Sequence, residues 1–189
     1  YIAGPGANFR DPDPSTRVNL SGVDLSGVDL SGADLRYADL TGANLTNATL
    51  TGADLIDALL TGADLSGAKL IDARLLGANL TNAKLIDADL SDADLRYADL
   101  SGANLTNAKL IGADWSQANL TEANLYGVIS GNITGEPLAS TLPESYSVVA
   151  GAIAGPGIAL SGPLVINEYT IAPGADLTNA DLIGADLRN

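Results

Sequence analysis

The sequence contains no cysteine, no histidine and no methionine. Disulfides, thiolate or imidazole metal ligands, a Ser-His-Asp triad and a Cys-His pair are therefore unavailable, and most familiar enzyme chemistry goes with them. Aromatic residues make up only 4% of the 189 positions. No apolar run approaches the roughly 18 residues of a membrane-spanning helix, so membrane insertion is not expected. Basic residues are scarce too: 9 Lys and Arg stand against 23 Asp and Glu, a net charge of −14. That balance opposes attraction to nucleic acid or to an anionic membrane, and no nucleic-acid partner is expected. No charged-then-apolar leader stands at the N-terminus, and a chain that begins at Tyr1 without any methionine looks processed or excised. What is plentiful is apolar: 46% of the residues, enough to fill a continuous core.

The apolar residues recur with a period of five. Leucine stands at Leu20, Leu25, Leu30 and every fifth position through Leu125, 22 positions with one exception, Trp115. Two residues before each is Val at 18, 23 and 28, then Ala from Ala33 through Ala123. Between them lies mostly Asp or Asn; after them comes mostly Ser or Thr, then a residue that is Gly, Asn or Asp in 18 of 22 cases. A helix turns about 100° per residue, so a period of five would spread the leucines around the cylinder. A straight strand would send successive leucines to opposite faces, because five is odd. Both residues stay inside only if the chain turns a corner in every repeat, and Gly, Asn and Asp tolerate the positive φ of a tight turn. Between residues 18 and 128 there is no proline, as a backbone bonded between stacked coils requires.

Units such as Ala33-Asp34-Leu35-Arg36-Tyr37, Ala43-Asn44-Leu45-Thr46-Asn47 and Ala103-Asn104-Leu105-Thr106-Asn107 closely resemble the pentapeptide-repeat family. The resemblance implies an all-β fold, a right-handed quadrilateral β-helix (a solenoid) with four repeats per coil and leucines stacked in four interior columns. Residues twenty apart are then neighbours, and at the parallel-strand spacing of about 4.8 Å the body forms about five and a half coils, a rod of about 27 Å. One core column would hold Leu35, Leu55, Leu75, Leu95 and Trp115, with the neighbouring coil bulging to admit the indole.

Four segments are expected: a lead-in at 1–17, the β-helix at 18–128, a Gly/Pro-rich C-terminal β insertion at 129–172 and a short resumed repeat at 173–189. The insertion carries two strand-like runs, Ser147 to Ala154 and Leu164 to Ile171. The lead-in Tyr1 to Phe9 resembles Tyr169 to Leu177, the pattern either of one period in an alternating array or of a subunit whose two ends are made to meet. Neither terminus shows an amphipathic capping helix, so both coil ends are expected to be open and to favour head-to-tail self-association.

Outward residues twenty apart form columns. Ser21, Thr41, Thr61, Thr81, Ser101 and Thr121 make a bland hydroxyl face, whereas Arg36, Tyr37, Ile56, Leu76, Arg96 and Tyr97 are residue types enriched at interfaces and are the candidate surface for a protein partner. Basic residues interrupt the acidic columns, as in Asp34, Asp54, Arg74, Asp94, Asp114, which relieves like-charge stacking. Asp72 and Asp92 stack as bare carboxylates and form a weak calcium candidate, without the ordered spacing of a calcium loop. No cofactor, no metal and no catalytic residue are expected. The expected role is a non-enzymatic structural or assembly module in an extracellular or cell-surface array or filament. The alternative, implied by the resemblance, is a DNA-mimicking inhibitor of a type II topoisomerase, which the frequent leucine, the basic interruptions and the lack of a C-terminal dimerisation helix disfavour.

Overall fold

A computed structural model describes residues 4–9, 17–131, 134 and 142–143, together with the main chain of five short strands between 147 and 171. The lead-in residues 1–3 and 10–16 and the resumed repeat at 173–189 lie outside the described residues.

Parallel bridges join residues twenty apart without interruption, from Asn19↔Asp39 to Asp114↔Thr134. A turn separates each bridge from the next, so one coil is four repeats. The bonding of a single unit explains why five residues suffice. In Ala43–Asn47, Ala43 N–H closes the preceding turn on Leu40 O (3.0 Å), and Asn44 N–H reaches back one coil to Val23 O (3.0 Å). Leu45 and Asn47 N–H reach forward to Asp64 O (2.7 Å) and Ser66 O (2.9 Å). The remaining donor, Thr46 N–H, is taken by its neighbour's side chain, Asn44 Oδ1, at 3.1 Å. All five N–H groups are satisfied, which is why Asp or Asn precedes the leucine and why proline is excluded.

The corner needs a left-handed residue, and every turn position from Gly22 to Gly127 has φ between 54° and 72°. Asn and Asp take this conformation at modest cost; Tyr37 (φ 62°) and Tyr97 (φ 58°) take it against the preference of a bulky side chain. Inside, the leucines from Leu30 to Leu125 and Trp115 are at most 1% exposed. Each contributes about 1.5–3 kcal/mol relative to an exposed side chain.

The two ends differ. At the N-terminal end the ladder begins earlier than the 18–128 span: Asn8 bridges Asp34, and Phe9, 3% exposed, heads the column that Leu35 continues and Trp115 ends. Val18, Leu20 and Val28 are only partly buried there, and Val23 is 39% exposed. At the other end the ladder runs past residue 128, because Lys109 bridges Ile129 and Asp114 bridges Thr134. Strand β1 (Ile129–Ser130) pairs in parallel with β4 (Ala159–Leu160), thirty residues on instead of twenty. The intervening chain carries an antiparallel pair, β2 (Ser147–Val149) with β3 (Ala152–Ala154). Leu120, Leu125 and Val128 are fully buried, and Leu142 packs against the core. At the C-terminal end, therefore, the Asp114 and Ile129 sides continue to further chain, while the Asn119 and Asn124 sides have no onward bridge among the described residues.

The two strand-like runs are corrected as well. Each folds back on itself, as β2–β3 and as β5 (Leu164–Ile166) with β6 (Tyr169–Ile171). Two residues separate the strands in each pair, Ala150-Gly151 and Asn167-Glu168, the commonest length of a hairpin connection. The rung at Trp115 is longer than the others of its column: Trp115 N–H to Thr134 O is 3.3 Å, against 2.6–2.8 Å for Leu35, Leu55, Leu75 and Leu95.

Candidate functional site: the corner columns and the coil ends

The coil brings the six candidate interface residues to one corner on successive rungs. Tyr37 N–H donates to Ile56 O (3.0 Å), Asp57 N–H to Leu76 O (3.0 Å), Gly77 N–H to Arg96 O (2.9 Å) and Tyr97 N–H to Ser116 O (2.9 Å). Tyr97 is 65% exposed and Tyr37 38%. The arginines, however, are turned onto their own rod. Arg36 donates through Nε and Nη2 to the two carboxylate oxygens of Asp34 at 2.8 and 2.6 Å, and Arg96 does the same to Asp94 at 2.8 and 2.8 Å. Arg17 Nη1 reaches the same corner, on the carbonyls of Tyr37 (2.9 Å) and Asp57 (2.8 Å).

The acidic columns are neutralised in the same way, by a cation one coil later. Arg74 pairs with Asp54 at 2.7 Å, Lys84 with Asp64 at 3.2 Å and Lys109 with Asp89 at 3.3 Å. At these exposures each pair contributes about 0.2–1 kcal/mol. Asp94 is held below the ordinary carboxylate range, first because Arg96 donates to it, against the opposing cost of partial burial. At Asp64 burial is the largest influence and pushes upward, but the hydroxyl and N–H of Ser66 and the Lys84 ammonium together outweigh it, and the group is lowered.

One pattern was missed in the sequence, although it is printed there. Where the residue before the leucine is basic, at Lys69, Arg74, Lys84 and Lys109, the residue after it is aliphatic: Ile71, Leu76, Ile86 and Ile111. Lys and Arg cannot accept the N–H that Asn44 accepts from Thr46, and a hydroxyl there would have no carboxylate to donate to. These four repeats thus carry an aliphatic side face in place of the capped hydroxyl one; Asp54, which caps the N–H of Ile56, combines the two. Comparing the residues on either side of each leucine would have revealed it.

The turn positions also stack. Asn47, Asp57, Asn82, Asp92 and Asn107 each lean an oxygen over the turn one coil later, into the space that a side chain would need at Gly67, Gly77, Gly102, Gly112 and Gly127. Glycine above glycine, as at Gly42 and Gly62, meets nothing. The Asp72–Asp92 stack is thus two turn residues, one of which leans over Gly112. Among the described residues no group of three or more acidic side chains is placed to hold a metal ion, and no helix is long and apolar enough to cross a membrane.

These features define a parallel solenoid of five-residue turns. The pentapeptide-repeat model, "Pentapeptide repeats", matches in eight copies, overlapping from 16 to 129 and again over 168–189; the chain belongs to the pentapeptide-repeat family. Among solved structures it is similar to HetL, a pentapeptide repeat protein involved in heterocyst differentiation regulation from the cyanobacterium Nostoc sp. strain PCC 7120. That similarity is 30% identity over 70% of this chain and 71% of HetL, with TM-score 0.31. A second pentapeptide repeat protein from Nostoc PCC 7120 is 46% identical over 44% of this chain and 67% of its own, with TM-score 0.41. QnrB1, a plasmid-mediated fluoroquinolone resistance protein, is 19% identical over 85% of this chain and 92% of its own, with TM-score 0.41. No curated protein matches the chain.

Proposed function

We propose that this protein is a non-enzymatic structural or assembly module, a rigid acidic rod with the right-handed quadrilateral β-helix of its family. One observation carries the reading: the repeat's backbone donors and five of its basic side chains are directed at the rod itself. The N–H groups of a unit such as Ala43–Asn47 are all bonded within the solenoid, and Arg36, Arg74, Lys84, Arg96 and Lys109 each pair with an aspartate of the same face. Such a surface holds its shape and offers partners columns and an edge, with no reactive group. The exposed Tyr37 and Tyr97, with Ile56 and Leu76 between them, are the proposed protein-contact corner, and a location outside the cytoplasm belongs to the same proposal, resting on the repeated lead-in motif.

The second reading, mimicry of duplex DNA toward a type II topoisomerase, is favoured by the charge of −14. The internal pairing of the columns weighs against it, since a mimic of a polyanion needs its carboxylates free. A gyrase supercoiling assay separates the two. Unchanged supercoiling with protein in molar excess is the expected result, and dose-dependent inhibition would replace the structural reading with the mimic.

A further inference from the structure

We infer that the tyrosine corner is a binding site for an arginine side chain of a protein partner, held on backbone carbonyls; this deepens the protein-contact reading proposed above and rests on it. The repeat leaves one acceptor over. In Ala43–Asn47 the carbonyls of Ala43, Asn44, Leu45 and Thr46 accept the N–H groups of Asp64, Leu25, Ala48 and Gly27 at 2.7–3.0 Å. The fifth carbonyl, at the turn residue, accepts none, and among the described residues the same holds for the backbone bonding of every turn carbonyl from Gly22 to Gly127. Each corner of the rod therefore carries a column of carbonyl oxygens left for solvent or a ligand, repeating at the coil spacing of about 4.8 Å.

The chain itself shows what such a column takes. Arg17 heads the column that continues with Tyr37, Asp57, Gly77, Tyr97 and Gln117, and its Nη1 donates to the carbonyls of Tyr37 at 2.9 Å and of Asp57 at 2.8 Å. Two oxygens at those distances and about 4.8 Å apart subtend about 115° at the nitrogen, close to the angle of about 120° between the two N–H bonds of a planar guanidinium nitrogen. One arginine nitrogen thus spans one coil step.

The next two carbonyls of this column, on Gly77 and Tyr97, are bonded to no described donor and have better neighbours. Asp57 leans its carboxylate into the space that a side chain would need at Gly77. No described cation forms a salt bridge with that carboxylate, whereas Asp34, Asp54 and Asp94 are paired with arginines. The charge of the adjoining Arg96 is offset by Asp94. Tyr97, 65% exposed, supplies an aromatic ring. A guanidinium brings five donors in one plane: one nitrogen serves the two carbonyls, the other donors reach the Asp57 carboxylate, and the flat face meets the ring. At the other three corners no turn residue between Gly22 and Gly127 is aromatic. The net charge of −14 draws a basic partner to the rod.

The test uses the whole, isotopically labelled chain, with Nα-acetyl-arginine amide as the probe and the uncharged Nα-acetyl-citrulline amide as its control. Carbonyl-carbon resonances are the readout, because they report the acceptors themselves. Arg17→Ala should shift those of Tyr37 and Asp57; no shift would overturn the fork on which the site is built. In the unmodified protein the arginine probe should move the Gly77 and Tyr97 carbonyls saturably and leave those of Gly42 and Gly62 in place, while the citrulline probe moves none. Asp57→Asn and Tyr97→Asn keep a residue suited to the turn and should each weaken binding several-fold. Equal movement at every corner, or unchanged binding in either variant, would overturn the site as a general effect of an acidic surface. A silent titration would overturn it as well, and the gyrase result then decides the structural reading separately.

Discussion

The first coil and the last complete coil are built from the same five-residue unit, yet they sit in different surroundings. Leu20 is partly exposed where Leu120, five coils on, is fully buried; Val28 is partly buried where Val128, also five coils on, is fully buried. The difference teaches that in a solenoid a residue's worth is set by the coil beyond it. A leucine between two coils is enclosed above and below; in the first coil Leu20 is partly exposed, although Leu25 and Leu30 of the same coil are buried. The valines at 18, 23 and 28, which replace the alanines of the body, fit this position. Valine also fits this position when enclosed, since Val128 is fully buried.

The largest effect should come from emptying the same column at its two ends. Leu120→Ala should cost about 2–5 kcal/mol, as truncation of a fully buried leucine does, whereas Leu20→Ala should cost less, about 1–2 kcal/mol, because a partly exposed side chain loses less transfer energy. Urea unfolding followed by the single Trp115 measures both, and equal losses would mean that the N-terminal mouth is as well covered as the C-terminal end.

The glycines provide a smaller contrast. Gly22 and Gly127 both have positive φ, but only at Gly127 would a methyl group meet the Asn107 side chain. Gly22→Ala should cost about 1 kcal/mol from the left-handed conformation alone, and Gly127→Ala distinctly more. Thermal melts that rank the two in the opposite order would contradict the stacking of turn side chains.

At the tyrosine corner the sign reverses. Tyr97→Gly relieves a left-handed bulky residue and removes little buried area, so stability should stay level or rise by up to about 1 kcal/mol. A loss of stability would show that the ring packs on the rod, in place of being held out for a partner.

The smallest effect is acid loosening of the N-terminal coil. Asp24 and Asp29 lie below their ordinary range, chiefly through the Ser26 and Ser31 hydroxyls and then their N–H groups. Because the folded values are lower than the unfolded ones, this contribution is complete above about pH 3.9 and is lost as pH falls through the folded values. The amide resonances of Ser26 and Ser31 should shift with midpoints below about 3.9; midpoints above it would remove the capping role of these carboxylates.

Much of the rod was legible in the sequence. The period of five forced a corner, the Gly, Asn and Asp positions marked where it falls, and the leucines and alanines named the core. What was not legible came from chain outside the strict repeat. Asn8 could not be recognised as a rung partner of Asp34 because the spacing there is 26 residues instead of twenty. The runs Ser147–Ala154 and Leu164–Ile171 read as single strands because a hairpin and a strand share the same apolar composition. The pairing of Arg36 with Asp34 was hidden for a different reason: both residues were placed on the right corner, but their side-chain directions depend on how the rod's own charges compete with solvent.

The sequence by itself determined the coil, because a backbone that buries a leucine and an alanine in every five residues and satisfies each N–H has few other solutions. Which chain continues the last coil was decided only in three dimensions, where Ile129 takes its partner at Ala159, thirty residues on. Local units specify their own turns, but the covering of a mouth depends on distant, non-repeating chain returning to it, and no local pattern records that contact.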